Sequence, residues 1–584
     1  MAAYRLCPEV LRPTAQRLVA GCASPVAPGP GDGPPPTKAI SHGAHPMRRR
    51  TLVKAFLLAG LATPFAYAPA PATAAEKVLR VGMTAADVPL TTGQANQGGE
   101  GVRFMGLSLY DALIMWDLSS YEKPAVLKPG LATEWKVDDA TKKIWTFKLR
   151  EGVKFHDGSG FDADAVVWNL DKLLKKDSAQ YDPSQAAQAS QYFGGIDSYR
   201  KIDAMTVEIT TKTPDAVFPY QISGIVYSSP KRWEEVGRNW AEFAKRPSGT
   251  GPWILEKLVP RERAELLRNA NYWDPKRVPK SDRLVLMCMP DSSTRTAALL
   301  SDQVDFIEAP PPDAVPRLKQ SGMQIITNVY PHIWPYQLSY ADDSPFRDVR
   351  VRKAANLAID REGLAKFLGG LATPASGQVN KGHPWYGKPT FEIKYDPEAA
   401  KKLMKEAGFD EKHPAKVKFG ISTSGSGQMQ PLPMNEFIQE NLNAVGFQVE
   451  FEVMEWEALR GKRRAGAMSP ETKGLNGINN SWAYWDPDIG ILGISMTRLK
   501  PPAGYNWGAF SDPEIDALGE KAKTTFDPKE QDKVLAEIHG KLVDKAIWIW
   551  VVHDLNPRGL GPKVKGFVQA QSWYQDLTPV WVDK

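Results

Sequence analysis

"LKPGLATEWKVDDATKKIWTFKLREGVKFHDGSGFDADAVVWNL" occupies residues 127–170 of a 584-residue chain. Inside it, "WTFKLREGVKFHDG" alternates apolar and polar residues with a period of two and closes on Asp157-Gly158, a tight-turn pair. That pattern predicts a half-buried strand. Upstream, "EKVLRVGM" reads as a buried first strand, and downstream "MTVEITTKT" reads as another. Helices are announced by one repeated punctuation: Asp396-Pro397-Glu398, Asp512-Pro513-Glu514 and Asp527-Pro528-Lys529 each put an N-cap aspartate before proline at the first helical position. The first of these helices should stop at Gly408. Beyond it run "AKVKFGIST", a helical "MNEFIQENLNAVG" and "QVEFEVMEW", a strand-helix-strand crossover that implies a parallel pair. The fold class is α/β, and the part beyond about residue 333 forms its own α/β lobe.

At residues 47–75, "MRRRTLVKAFLLAGLATPFAYAPAPATAA" has the layout of a secretory signal peptide. Arg48, Arg49, Arg50 and Lys54 make the positive region, Ala55 to Ala68 the apolar run, and Ala72-Thr73-Ala74 the cleavage site near Ala74. A membrane-spanning helix needs about 20 apolar residues, more than this run offers. Arg49-Arg50-Thr51-Leu52-Val53-Lys54 resembles the bacterial twin-arginine export motif, and an arginine-rich Sec signal fits the same residues. Residues 1–46 are rich in proline, glycine and alanine without amphipathic period, so they read as a gene-model extension ahead of a true start at Met47. Val19-Ala20-Gly21-Cys22 imitates a lipoprotein box but lacks the apolar run that should precede it.

The whole chain has a formal net charge of +6, yet residues 1–75 hold eight of the 73 basic and only two of the 67 acidic residues. Residues 76–584 are therefore balanced, and no basic stripe remains for nucleic acid. Cys7 and Cys22 also precede the cleavage site, leaving Cys288 alone. An exported chain with one thiol has no internal disulfide and must draw its stability from its core. Its length suits about three domains.

No His-Glu-x-x-His, Gly-x-Ser-x-Gly or Cys-x-x-Cys occurs after residue 75. Gly382 to Lys388 imitates a phosphate loop but meets Pro389 where Ser or Thr should hold magnesium. His156-Asp157 reads as turn chemistry rather than an acid/base pair. The eight histidines are too scattered for a metal cage. The expectation is no catalytic residue, no metal and no cofactor.

The opening stretch, followed in order by "GTGPWILEKLVPRERAELLRNANYW", "DVRVRKAANLAIDRE", "YDPEAAKKLMKEAGF" and "SDPEIDALGEKA", resembles the family 5 extracellular solute-binding proteins, the dipeptide and oligopeptide binding components of ABC transporters. The resemblance covers residues 76–584. It implies a two-lobed periplasmic clamshell with an extra subdomain on the first lobe: residues 76–120, 245–332 and 551–584 as lobe I, 121–244 as the subdomain, and 333–550 as lobe II. It also implies a monomer that encloses a peptide or peptide-like solute between its lobes and delivers it to a membrane permease with its ATPase. Closure follows from a ligand that binds the closed state better than the open one.

Peptide-binding members of that family carry Trp-x-x-Asp in the second lobe, whose carboxylate takes the peptide's amino terminus. Here the segment is "NSWAYWDPDIG", in which the third residue after Trp482 is Trp485 and Asp486 comes one place late. A one-residue shift on an extended segment turns a side chain to the other face. Peptide specificity is thereby in question, and an opine, a sugar or a metal chelate are the alternatives. Candidate ligand-binding residues are Trp482, Tyr484, Trp485 and Asp486, with Trp334, Tyr336 and Asn506-Trp507 as further cleft-wall aromatics and their neighbour. In the first lobe Gln94, Asn96 and Gln97 offer neutral hydrogen-bonding groups. Two other classes stay open: a secreted hydrolase using Asp486 or Asp488 as paired carboxylates, and a holdase with an exposed apolar groove.

Overall fold

The computed structural model describes residues 76–329 and 332–583. The expected extension over residues 1–46, the expected signal peptide over 47–75, Cys7 and Cys22 lie outside the described residues.

Val78–Met83 buries Leu79, Val81 and Met83 on one face, and it pairs in parallel with Arg283–Cys288 and Phe306–Glu308. These belong to a seven-stranded sheet in the order Gln324–Ile326, Arg558–Leu560, Phe306–Glu308, Val78–Met83, Arg283–Cys288, Arg263–Arg268, Trp253–Val259. A second sheet runs Ala372–Pro374, Trp548–Asp554, His332–Leu338, Gly477–Asn479, Ala415–Ser422, Phe447–Met454, with Trp482–Ala483 attached to His332–Leu338. Inserted in the chain between Val78–Met83 and Trp253–Val259 of the first sheet, Ala132–Val137, Ile144–Leu149, Thr206–Thr211 and Ile196–Asp203 form a separate four-stranded antiparallel sheet. The architecture is a two-lobed α/β clamshell with an extra subdomain inserted in the first lobe.

The aspartate-proline punctuation holds at all three places. Asp396, Asp512 and Asp527 each accept a backbone N–H at the start of Pro397–Glu406, Pro513–Thr524 and Pro528–Asp544. Gly408 follows the first of these helices with φ 92°. The crossover is present as well: Ala415–Ser422 and Phe447–Met454 run parallel, Val417 opposite Val449, around the helix Pro431–Asn443.

Three local expectations are corrected. The strand expected over "WTFKLREGVKFHDG" ends at Leu149, where both ladders close: the Leu149 amide donates to the Met205 carbonyl at 2.8 Å and the Arg150 amide to the Leu131 carbonyl at 2.7 Å. The His156-Asp157 turn is instead tied down by side chains: His156 Nε2 lies 2.9 Å from the Gly251 carbonyl, and Asp157 accepts from the Ser159 amide at 2.9 Å. "QVEFEVMEW" stops pairing at Met454, since Glu455 caps a new helix that starts at Trp456. Finally, Trp548–Asp554 stays in the second sheet to its last residue, pairing His332–Leu338 and Ala372–Pro374, so the return to the first lobe falls after residue 554 rather than at 550.

Candidate functional site

Helix Trp456–Ala465 builds one wall of a cavity of about 500 Å³. Its start is set by Glu455, whose carboxylate accepts from the Glu457 amide at 2.7 Å. From that start Trp456, Arg460 and Arg463 fall at i, i+4 and i+7, one face of a helix, and all three line the cavity. Trp507 backs the helix, its indole N–H donating to the Lys462 carbonyl at 3.2 Å. The same side adds Trp482 and Trp485, from the segment that follows Gly477–Asn479. Trp482 is fixed by an indole bond to the Ile489 carbonyl at 2.8 Å and by an edge contact with Tyr505 at 5.0 Å.

The opposite wall belongs to the first lobe and its subdomain. The loop after the first strand brings Gly93, Gln94, Gly98 and Gly99, and the C-terminal segment brings Trp573 and Tyr574. Gly99 is required as glycine, because a Cβ there would coincide with the indole nitrogen of Trp573. Trp485 packs on both C-terminal aromatics, 5.6 Å from Trp573 and 5.2 Å from Tyr574. Indole and phenol faces on both sides suit a flat or apolar solute body, and the volume lies in the usual range for small-molecule sites.

The charges around this cavity are unevenly matched. Arg277 donates to Asp576 at 2.8 Å, Lys128 is 3.8 Å from Asp117, and Arg460 donates to Glu457 at 2.7 Å. Arg463 is buried at 8% exposure, with its guanidinium 5.3 Å from the Trp482 ring and 5.7 Å from the Tyr505 ring. Burial, then the nearby Arg460, lowers its pKa to about 10. A cation over an aromatic face gains about 0.5–2 kcal/mol, whereas an uncompensated buried charge costs several.

Of the residues expected at the site, Gln94, Trp482 and Trp485 line this cavity and the others do not. Gln94 spends its amide within its own lobe, oriented so that nitrogen donates to the Gly224 carbonyl at 3.0 Å and oxygen accepts from the Val226 amide at 2.8 Å. Asn96 holds its loop by accepting from the Leu90 amide at 2.8 Å. The Gln97 amide donates across to Glu457 at 3.1 Å. Trp334 and Tyr336 sit fully buried in the second lobe's core, because their strand is central in its sheet and their shared face packs on Phe419 and its neighbours. Tyr484 is buried and bonded by Asn380 Nδ2 at 2.7 Å. Asn506 fastens a turn through Met496 and Phe510, with Trp507 behind the helix.

Asp486 is the instructive case. Its carboxylate accepts from the Ile489 amide at 2.8 Å and caps the turn that follows, out of the cavity. Burial, then the charge of Asp488, pushes its pKa up to about 7. The position three after Trp482 presents an indole to the cavity and no carboxylate. Missed by sequence reading were Trp456, Arg460, Arg463, Trp573 and Tyr574. The helical spacing of the first three was a legible signal.

A second, polar cavity of about 330 Å³ lies where the chain passes between the lobes. There Glu308 accepts from Arg103 and, at 3.2 Å, pairs with Arg558. Burial opposes its charge, but Arg103 and then Arg558 outweigh it and hold its pKa below the usual carboxylate range. Neighbouring Glu100 is raised well above the usual range by burial and then by the Glu308 charge. The two sides also meet through Glu100, whose amide donates to Ser426 Oγ at 3.2 Å, and through a buried Asp215–Lys523 pair at 2.8 Å. Among the described residues no group of three His, Cys, Asp or Glu is placed to hold a metal, and no helix is long and apolar enough to cross a membrane.

Comparison with known proteins agrees with this geometry. The family described as bacterial extracellular solute-binding proteins, family 5 Middle, matches residues 126–514. The glutathione-binding protein GsiB of Escherichia coli O1:K1 / APEC is 28% identical over 477 residues, 80% of this chain and 85% of that one. The di/tripeptide-binding protein 2 of Pseudomonas aeruginosa is 26% identical over 490 residues, 81% and 89% of the two chains. The periplasmic binding protein DppA of Helicobacter pylori, solved with the peptide STSA, superposes with a TM-score of 0.75 at 23% identity, over 87% of this chain and 99% of that one.

Proposed function

The chain belongs to the bacterial extracellular solute-binding proteins of family 5, and on that premise we propose that it captures a small peptide or peptide-like solute between its lobes and delivers it to the permease of an ABC importer. The observation that carries this is the cavity of about 500 Å³ walled by aromatic side chains from both lobes. A solute touching both walls stabilises the closed form, and the difference in affinity between the two forms sets the closed fraction. Nothing in that cycle makes or breaks a covalent bond, and the relatives are named as binding proteins.

The test is a thermal-shift screen over di- to pentapeptides, opines, sugars and metal chelates. A ligand bound only by the native state adds about 2.7 kcal/mol at a hundredfold excess over its Kd. Scattering on each hit should show a smaller radius of gyration. Binding without compaction across several ligands would exclude the clamshell cycle. A non-peptide solute is the second reading, favoured by Trp485 standing where peptide binders of this family place their aspartate.

Export completes the proposal. Residues 47–75 act as a cleaved signal peptide, with Arg49-Arg50 as a twin-arginine pair, and the protein works in the periplasm as a monomer. Intact mass of the precursor and the processed protein tests the start at Met47 and cleavage near Ala74. Export that survives Arg49→Lys with Arg50→Lys and stops under Sec blockade would assign the Sec route instead.

A further inference from the structure

Resting on the solute-capture reading, we infer that Arg463 reads a carboxylate on the captured solute, so that the cargo of this protein is an anion with an apolar body and not merely any small peptide-like molecule.

Three observations converge. Arg463 lines the cavity, is almost wholly buried, and makes no ion pair among the described residues; its contacts there are the faces of Trp482 and Tyr505. The charges beside it do not balance. Arg460 and Arg464 share one carboxylate, Glu457, at 2.7 and 3.9 Å, while Lys462 is taken by Glu452 at 3.1 Å. Three guanidinium groups thus face one acid. The arginine on the opposite wall is already satisfied, Arg277 by Asp576.

Trp482 and Tyr505 meet edge to face at 73°, so the guanidinium rests against both rings without being stacked between them, and its N–H donors are the part that pairs with a carboxylate. The surrounding aromatics exclude water, so the pairing forms in a low dielectric where it is strongest. On the other side, Trp485 offers an indole where an ammonium would need an acid, and Asp486 is turned to its cap. The cavity therefore provides for a negative end and an apolar body, with no carboxylate at the family's amine position.

The test uses matched probes, N-acetyl-Ala-Phe with a free carboxylate and the same molecule as its C-terminal amide. Both are titrated by calorimetry against wild type, Arg463→Gln and the control Arg200→Gln, whose side chain pairs with Glu208 on the subdomain surface. The expected result is at least tenfold tighter binding of the acid by wild type and by the control, with that preference falling below about threefold in Arg463→Gln. Equal affinity for acid and amide, or a preference that survives in Arg463→Gln, would overturn the inference while leaving solute capture intact.

If neither probe binds wild type, capture of peptide-like solutes loses its support, and Arg463 is judged on the ligand-free protein. A cation retained for binding is a burden on the empty fold, so Arg463→Met should raise the Tm. A lower Tm would show that Arg463 holds the fold and overturn the inference.

Discussion

At the passage between the lobes Arg103 and Arg558 share Glu308, whereas on the wall of the larger cavity Arg463 rests against two aromatic rings and makes no ion pair among the described residues. Both sets are buried, so both gave up water on folding. At the passage that cost is offset inside the chain by a neighbouring acid. On the cavity wall it is left open, to be offset by something that arrives from outside. The difference separates charge that stabilises a fold from charge that selects a ligand, and burial alone does not distinguish them.

Removing the shared acid should have the largest effect. Glu308→Ala removes the carboxylate that Arg103 and Arg558 share, and loss of one member of a buried pair costs about 3–5 kcal/mol. Urea unfolding should show it as a drop in midpoint with little change in slope. A variant as stable as wild type would mean that the passage is open to water and the contrast false.

A smaller effect sharpens the other half of the comparison. With Trp485 at the family's amine position, an N-acetylated peptide should bind more tightly than the same peptide with a free amine, by about tenfold, or 1.4 kcal/mol. Titration of the pair against wild type, Trp485→Ala and Asp486→Asn checks it. Tighter binding of the free amine by wild type, lost in Asp486→Asn, would make Asp486 the amine partner and return the protein to ordinary peptide recognition.

The smallest effect is one of slope. The pKa of Asp486 is raised to about 7 in the folded chain, above its ordinary value. The native state then holds a proton that the unfolded state has released, and this contribution is complete below about pH 4 and lost as pH rises towards 7. Asp486→Asn keeps an acceptor for the Ile489 amide and cannot ionise. Its stability should therefore fall less than that of wild type across this window, as measured by melting at matched ionic strength. An identical profile would show that Asp486 is already ionised at low pH.

Much of the fold was legible because its signals are local. An aspartate before proline caps a helix whatever lies around it, and Asp396, Asp512 and Asp527 all do so. Parallel pairing of Ala415–Ser422 with Phe447–Met454 followed from the crossover length. The cavity was less legible because membership depends on which face of an element looks inward. Trp334 and Tyr336 are aromatic residues beside the first passage between lobes, yet a strand with neighbours on both edges and helices behind it buries them in the core. Trp482 and Trp485 were found from their motif. Arg463 was missed because what marks it is that it makes no ion pair among the described residues, and that becomes visible only in three dimensions. The stripe of Trp456, Arg460 and Arg463 could have been read, had Trp456 been taken as the start of a helix.

The Asp215–Lys523 pair joins the subdomain to the second lobe at side-chain exposures of 3% and 6%. Its meaning is one of timing. A bond across a closing gap slows reopening more than it speeds closure, so it lengthens the residence of the cargo beyond what the cavity contacts alone would set. Stopped-flow release should be faster in Lys523→Met with the rate of capture nearly unchanged, and equal release rates would remove the pair from the clockwork.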